Sequence, residues 1–534
     1  MTDQFSPEER AALTPYFTNL DGPVFALVNL PEVVKGALFA RYSRSPKSLR
    51  RLFLDEFLSD GVGRGASPPP ASIADTAPDT QRAEDLYGRM FFEYGDDSVA
   101  QLGGVHLACE GASNLLTKVL EWGRLAAYLE QSTRYVPYDD LVDGRHRYHV
   151  PAELAGDLRE RYVRVLDGMF ATYRELLPVL RGHFTGRFPK DAQTPDGAYR
   201  MSIRAKALDT LRGLLPAATT SNVGIYATGQ AYENLLLRMR AHPLAEARAY
   251  ADLMLAELRK VIPAFLRRVD LPDRGGAWSA YLADTRRATA RVAAALLADE
   301  GVPPRDEVTL TDFDPEGEVK VVAAALYAVS DVPDDRLLDV ARKLTDDERR
   351  AVLDAYVGAR TNRRHRPGRA LERTSYRFDV LTDYGAFRDL QRHRLLTLEW
   401  QRLSPRHGSV MPEAIVEAGV EDRWHRSLDA SAALHDAIAA AGLAEVAPYA
   451  VAMAYRVRFY VEMNAREAMH LIELRSAPQG HPAYRRVAQA MHRLIAERAG
   501  HRALAAAMTF ADHSQVALER LEAERAAERR RGGR

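Results

Sequence analysis

Arg392, His393 and Arg394 stand side by side inside the leucine-rich stretch LQRHRLLTLEWQRLSPRHG, residues 390–408. Around them Tyr384, Phe387, Gln391, Leu395 and Leu398 recur at helical spacing, which predicts a helix with one buried stripe. Successive helical residues point about 100° apart, so the triplet cannot share one face. At least one of the three then meets the packed side, where an unpaired charge is costly to bury. Two readings stay open: solvated or salt-bridged surface residues, or a clamp for phosphate or another electron-rich group.

A second cluster lies in RVRFYVEMNAREAMHLIELR, residues 456–475. Arg466 and His470 are four residues apart and share a helix face. Asn464 and Arg475, eleven apart, fall together on another side. Glu467-x-x-His470 fits the carboxylate–histidine element of a di-iron bundle, but no second Glu-x-x-His accompanies it, so no metal is expected. Upstream, EWGRLAAYLEQSTRYVPYDD, residues 121–140, follows a stretch read as an apolar helix. Its Glu130, Ser132 and Arg134 offer a carboxylate, a hydroxyl and a guanidinium, a set that grips a phosphorylated metabolite or simply finishes a helix. The chain carries no P-loop, no Rossmann glycine fingerprint and no nucleophile elbow.

The elements that position these clusters read as a duplication. GPVFALVNLPEVVKGALFARYS (22–43) and VTLTDFDPEGEVKVVAAALYAV (308–329) share one order: short strand, turn, helix. LLLRMRAHPLAEARAYADLML (235–255) parallels LIELRSAPQGHPAYRRVAQAM (471–491), each with Arg-x-x-Pro, at Arg240/Pro243 and Arg475/Pro478. The expected fold is α+β: two tandem units, each a small β-sheet with packed helices. The expected domains are 1–270, a helical linker at 271–306, a second unit at 307–515 and a basic tail at 516–534, read as a fraying helix end. GVGRGASPPPASIADTAPDT (61–80) reads as an exposed loop.

Composition narrows the function. Across 534 residues, 73 Lys and Arg balance 73 Asp and Glu, which argues against a general polyanion binder, so no nucleic-acid partner is expected. The single cysteine, Cys109, excludes a disulfide framework and reads as a buried structural thiol. No apolar run is long enough for a membrane span and no export signal is evident, so a soluble cytoplasmic protein is expected.

Taken together, the motifs resemble those of the flavin-dependent thymidylate synthases (ThyX). That family carries Arg-His-Arg, seven residues, then Ser-x-Arg, with Arg-x-x-Leu-Pro and Asn-x-Arg downstream. The C-terminal half keeps Arg392-His393-Arg394 but has Arg402 in the serine position, with Ser404-Pro405-Arg406 two residues late. The N-terminal half has Trp122-Gly123-Arg124, then Ser132-Thr133-Arg134 in register, and Arg212-Gly-Leu-Leu-Pro216 intact. Asn464-x-Arg466, His470 and Arg475 match the family's flavin- and nucleotide-facing helix, whereas around Gly229 and Ala231 only Arg240 survives. Upstream, Asp96 replaces a family histidine and Gln101 its glutamate, while Glu372 is kept.

The resemblance implies conversion of dUMP to dTMP with FAD, NADPH and methylenetetrahydrofolate, at a composite site drawn from both halves. Glu372, Arg392, His393, Arg394, Asn464, Arg466 and His470 would face the flavin. Glu130, Ser132, Arg134, Arg212, Arg240, Arg392 and Arg475 would hold dUMP, with Arg475 the catalytic candidate at the uracil carbonyl. A homodimer would mimic the family's tetramer. The alternatives are a flavin enzyme of this scaffold acting on another pyrimidine nucleotide, or a non-catalytic nucleotide-binding paralogue.

Overall fold

A computed structural model of the chain describes residues 4–30, 32–42, 44–58, 101 and 103–532. The expected loop at 61–80 and Asp96 lie outside the described residues. The chain forms two compact units. One comprises Met1–Arg174, Leu215–Gly301 and Asp429–Ala450; the other comprises Glu175–Leu214, Val302–Leu428 and Val451–Arg534. Arg212, from the N-terminal half of the sequence, therefore belongs to the second unit.

The first unit holds a four-stranded antiparallel sheet of order β1-β2-β4-β3. Its strands are β1 (Val24–Leu27), β2 (Gly104–Ser113), β3 (Ala126–Glu130) and β4 (Thr220–Thr228). Helix α1 (Asn114–Leu120) joins β2 to β3, and β4 runs directly into α2 (Gly229–Arg240), followed by α3 (Ala245–Arg259). Of the stretch before residue 121, read as an apolar helix, only α1 is helical; GVHLACEGAS ahead of it is strand β2. Its small residues let it lie between β1 and β4, with a register shift between Cys109 and Ala112 where Gly111 takes φ +69°. Cys109 is fully buried there, as expected of a structural thiol.

The second unit repeats this plan. Its antiparallel sheet has the order β5-β6-β8-β7. The strands are β5 (Val308–Phe313), β6 (Ser375–Asp383), β7 (Thr397–Trp400) and β8 (Arg456–Asn464). Helix α4 (Tyr384–Leu390) joins β6 to β7, and β8 enters α5 (Ala465–Arg475), followed by α6 (Pro482–Glu497). In β8 the alternation of RVRFYVEMN buries Val457, Phe459, Val461 and Met463 on one face. Phe387 of α4 packs on Phe459 with ring centroids 4.9 Å apart, tying the helix to the sheet. The last helix, Leu521–Gly532, is held by Arg525 on Asp191 and Thr194. Among the described residues no helix is long and apolar enough to cross a membrane.

Candidate active site

The triplet does not sit in a helix. Asp383 caps α4 by accepting from Ala386 N, the helix ends at Leu390, and residues 391–396 turn into β7. Pairing of β7 with β8 overrides the helical spacing, because Leu398 then buries beside the sheet. The turn sends three side chains three ways. His393 points inward at 7% exposure, Arg394 is exposed, and Arg392 Nη1 lies 3.6 Å from Asp389.

His393 is held at both ring nitrogens. Its Nδ1 lies 3.0 Å from Glu467 Oε1, and Arg475 Nε donates to its Nε2 at 3.0 Å. His470 stands edge-on to it, ring centroids 5.3 Å apart, and its own Nδ1 faces Arg366 Nη2 at 3.1 Å. Arg466 donates from Nε to the Pro367 carbonyl and from Nη1 to Glu372 Oε1, at 2.9 and 3.4 Å. Asn464 is not part of the helix face expected for it. It ends β8 and caps α5 through Glu467 N, so it lies three turns, about 16 Å, from Arg475.

A second cluster adjoins this one. Arg212 lies in the short turn after helix Asp196–Leu211, and its Nη1 donates to Asp389 Oδ2 at 3.2 Å. Asp389 thus stands between Arg212 and Arg392, and its charge also acts on Arg475. Gly385 permits the approach: a Cβ there would meet Arg212 Nε at 2.9 Å. Among the described residues Arg212 Nη2 is buried without a hydrogen-bond partner, 4.0 Å from Asp383 Oδ1. Burial pushes the Asp383 carboxyl up, against the pull of Arg212. The orphaned donor marks a place for an acceptor such as a phosphate oxygen.

Burial dominates the titration of the His393 cluster. It drives His393 well below the ordinary histidine range, aided by Arg475, His470 and Arg366. It lowers His470 to about 4, with Arg366, Arg363 and Arg475 adding to the effect, and raises Glu467 to about 7 against Arg366, Arg466 and Arg394. His393, Glu467 and His470 offer ligand atoms within 4.8 Å of one another, so Glu467-x-x-His470 gains a third donor that its spacing alone does not reveal. Both His393 nitrogens are engaged, however, and the surrounding charge comes from guanidinium groups. That setting favours an anionic, acceptor-rich ligand over a cation.

The first unit places its candidates differently. Glu130 ends β3, not a helix, and its carboxylate takes Lys118 Nζ at 3.2 Å in a buried pair that Glu121 shares. Ser132 Oγ accepts from Arg134 N at 3.2 Å in the loop that follows. Strand register aligns the two units residue by residue. Glu130 pairs with Val223 and Trp400 with Phe459, each five residues before a helix cap, at Thr228 and Asn464. By this register Arg402 occupies the place of Ser132, Gly123 that of His393, and Ala231 that of Glu467. Thr228 and Gln230, one residue earlier than the motif match at Gly229 and Ala231, stand for Asn464 and Arg466. Gln101 Nε2 donates to Gln230 Oε1 at 2.7 Å, just where Glu372 meets Arg466 in the second unit. Arg240 falls one residue past the position of Arg475 and pairs with Asp252 at 2.5 Å.

Sequence reasoning missed Asp389, Arg366 and Arg363. Asp389 lies three residues before Arg392, a visible signal, but its role depends on Arg212, which is 177 residues away in the chain.

The family model for thymidylate synthase complementing protein matches residues 64–264 and again 309–499. A UPF0159 protein of Chlamydia muridarum is 39% identical over 523 residues, covering 97% of this chain and 98% of that protein. A UPF0159 protein of Thermoplasma acidophilum is 30% identical over 92% of this chain and 97% of its own length. A flavin-dependent thymidylate synthase of Clostridium tetani is 25% identical over 199 residues, covering 36% of this chain and 74% of that enzyme.

Proposed function

The chain belongs to the thymidylate synthase complementing protein family, and on that premise we propose that it is a flavin-dependent thymidylate synthase-like methyltransferase. It would convert dUMP to dTMP with methylenetetrahydrofolate and NADPH. The observation that carries this reading is the gathering of Arg212, Arg392 and Arg475 around Asp389, next to the buried His393 cluster, in one unit.

The residues present fit both ligands. Arg394, Arg466 and His470, with Glu372, Asn464 and His393 ordering them, form an arginine-rich face suited to the diphosphate and acceptor-rich ring of FAD. FAD, when bound and reduced by NADPH, would supply the hydride. Arg212, with its orphaned Nη2, and Arg392 would take nucleotide oxygens. Arg475 would donate to a uracil carbonyl and stabilise the negative charge that develops as the ring is activated. No side chain need act as nucleophile, which agrees with a single buried cysteine whose thiol burial pushes up. Glu130, Ser132, Arg134 and Arg240 would be the nucleotide residues of the N-terminal half, and a homodimer would assemble four such units.

One observation favours a second reading on the same scaffold. Arg402 replaces the serine in strand register, so the nucleotide or the one-carbon donor would differ. Purified protein incubated with dUMP, methylenetetrahydrofolate and NADPH should yield dTMP. A flavin-loaded protein that binds dUMP without making dTMP would point to the second reading, and a protein that holds no flavin would sink both.

A further inference from the structure

We propose that Glu467 is a positioning residue, which through His393 fixes the direction in which Arg475 presents its guanidinium. A guanidinium only donates, so His393 Nε2 must accept from Arg475. A neutral imidazole that accepts at Nε2 carries its proton on Nδ1, and that N–H then donates to Glu467 Oε1. Carboxylate, imidazole and guanidinium form one ordered chain, and reversing the ring tautomer would set two donors face to face.

Two observations separate this role from local helix chemistry. Ser6 with Glu9, and Thr345 with Glu348, close capping boxes in which the glutamate reaches back to the cap backbone. Asn464 caps α5 through Glu467 N in the same way, yet the Glu467 carboxylate turns to His393 instead. In the first unit, moreover, strand register puts Gly123, Ala231 and Met239 at the three positions, so all members of the chain are replaced together. Arg366, Arg466 and Arg394 face the carboxylate, and Arg475, His470 and Arg366 face the ring. The buried carboxylate is thus held among cations while its hydrogen bond goes to the imidazole.

The test uses the full-length chain labelled with 15N and needs no ligand. The Arg475 Nε–H signal, assigned by its absence in Arg475→Lys, should be protected from water, and His393 should show the Nδ1–H tautomer. In Glu467→Gln the Arg475 signal should move and exchange roughly several-fold faster, as expected when a charged acceptor becomes a neutral one. Glu467→Asp, which keeps the charged acceptor that the glutamine amide lacks, should restore it in part. An Nε2–H tautomer in the wild type, or an unchanged Arg475 signal in Glu467→Gln, overturns the proposal. What Arg475 then does rests on the function proposed above: kcat for dTMP formation should fall roughly ten- to a hundredfold in Glu467→Gln with KM for dUMP nearly unchanged. A wild type with the expected signals and no dTMP formation would sink the proposed function and leave Glu467 as the positioner of Arg475.

Discussion

Arg475 donates to His393 Nε2 across 3.0 Å, and this bond makes the protonated ring unfavourable as well as fixing its tautomer. Stability should register it. His393 and His470, both depressed, bind fewer protons folded than unfolded below pH 6.5, so their contribution is lost as pH falls through that window. Glu467, raised to about 7 from 4.5, works the other way and opposes folding increasingly as pH rises between those values. Replacing Glu467 with Gln removes only the second effect. Urea unfolding at pH 5 and pH 7 should therefore show the variant gaining on the wild type as pH rises. A variant that loses ground to the wild type as pH rises contradicts this assignment.

Flavin should depend on the second unit. Arg466→Ala or Arg394→Ala removes a charge from the face beside Glu467 and should weaken FAD roughly ten- to a hundredfold. Arg124→Ala, at the register position of Arg394 in the first unit, should do less. Fluorescence titration of apoprotein with FAD reads all three, and loss in Arg124→Ala alone would reverse the roles of the halves.

Much of the fold was legible because each unit begins with a short strand, a turn and a helix whose order recurs at 22–43 and 308–329, and that order is what the β1 and β5 regions adopt. The paired Arg-x-x-Pro segments likewise mark the links from α2 to α3 and from α5 to α6. The 390–400 stretch was misread because its leucines satisfy a helical period, while the pairing of β7 with β8 that decides its state is non-local. β2 was obscured by small residues that carry no strong period of either kind. Within the site, His393 and Arg475 could be named from their motifs. Asp389 could not, since only the arrival of Arg212 gives it a role.

The approach of Arg212 to Gly385 makes a steric prediction. In Gly385→Ala the new methyl would crowd both Arg212 Nε and Asp383 Oδ1, each at 2.9 Å. Ala is otherwise favoured over Gly within a helix by about 1 kcal/mol, so α4 itself should tolerate the change. The variant should stay folded by circular dichroism yet bind dUMP several-fold more weakly, because Arg212 must move. Unchanged dUMP affinity would take Arg212 out of the nucleotide site.

Cys109 should be inert. It is fully buried in β2, and burial followed by the Glu110 charge pushes its thiol up. Native protein should leave a thiol reagent unreacted over a time in which urea-unfolded protein reacts with one equivalent. Rapid labelling of the native chain would mean that β2 opens readily.

The nucleotide assignment of the N-terminal half is tested by two arginines. Ser132 and Arg134 follow β3 in the positions that Arg402 and Ser404 hold after β7, so the second unit has no Ser-x-Arg in register. Arg406 comes two residues later, in the short helical turn Pro405–His407, and not on a continuing helix as its sequence context implies. If Arg134 grips the phosphate, Arg134→Ala should retain the flavin spectrum and weaken dUMP roughly ten- to a hundredfold, the loss expected for one charge-assisted partner. Arg406→Ala, displaced from that position, should be nearly silent. Calorimetric titration of dUMP into both flavin-loaded variants measures the contrast. A large loss in Arg406→Ala with none in Arg134→Ala would mean that the displaced Ser404-Pro405-Arg406 copy binds the nucleotide, and that Ser132 and Arg134 serve only to close the loop after β3.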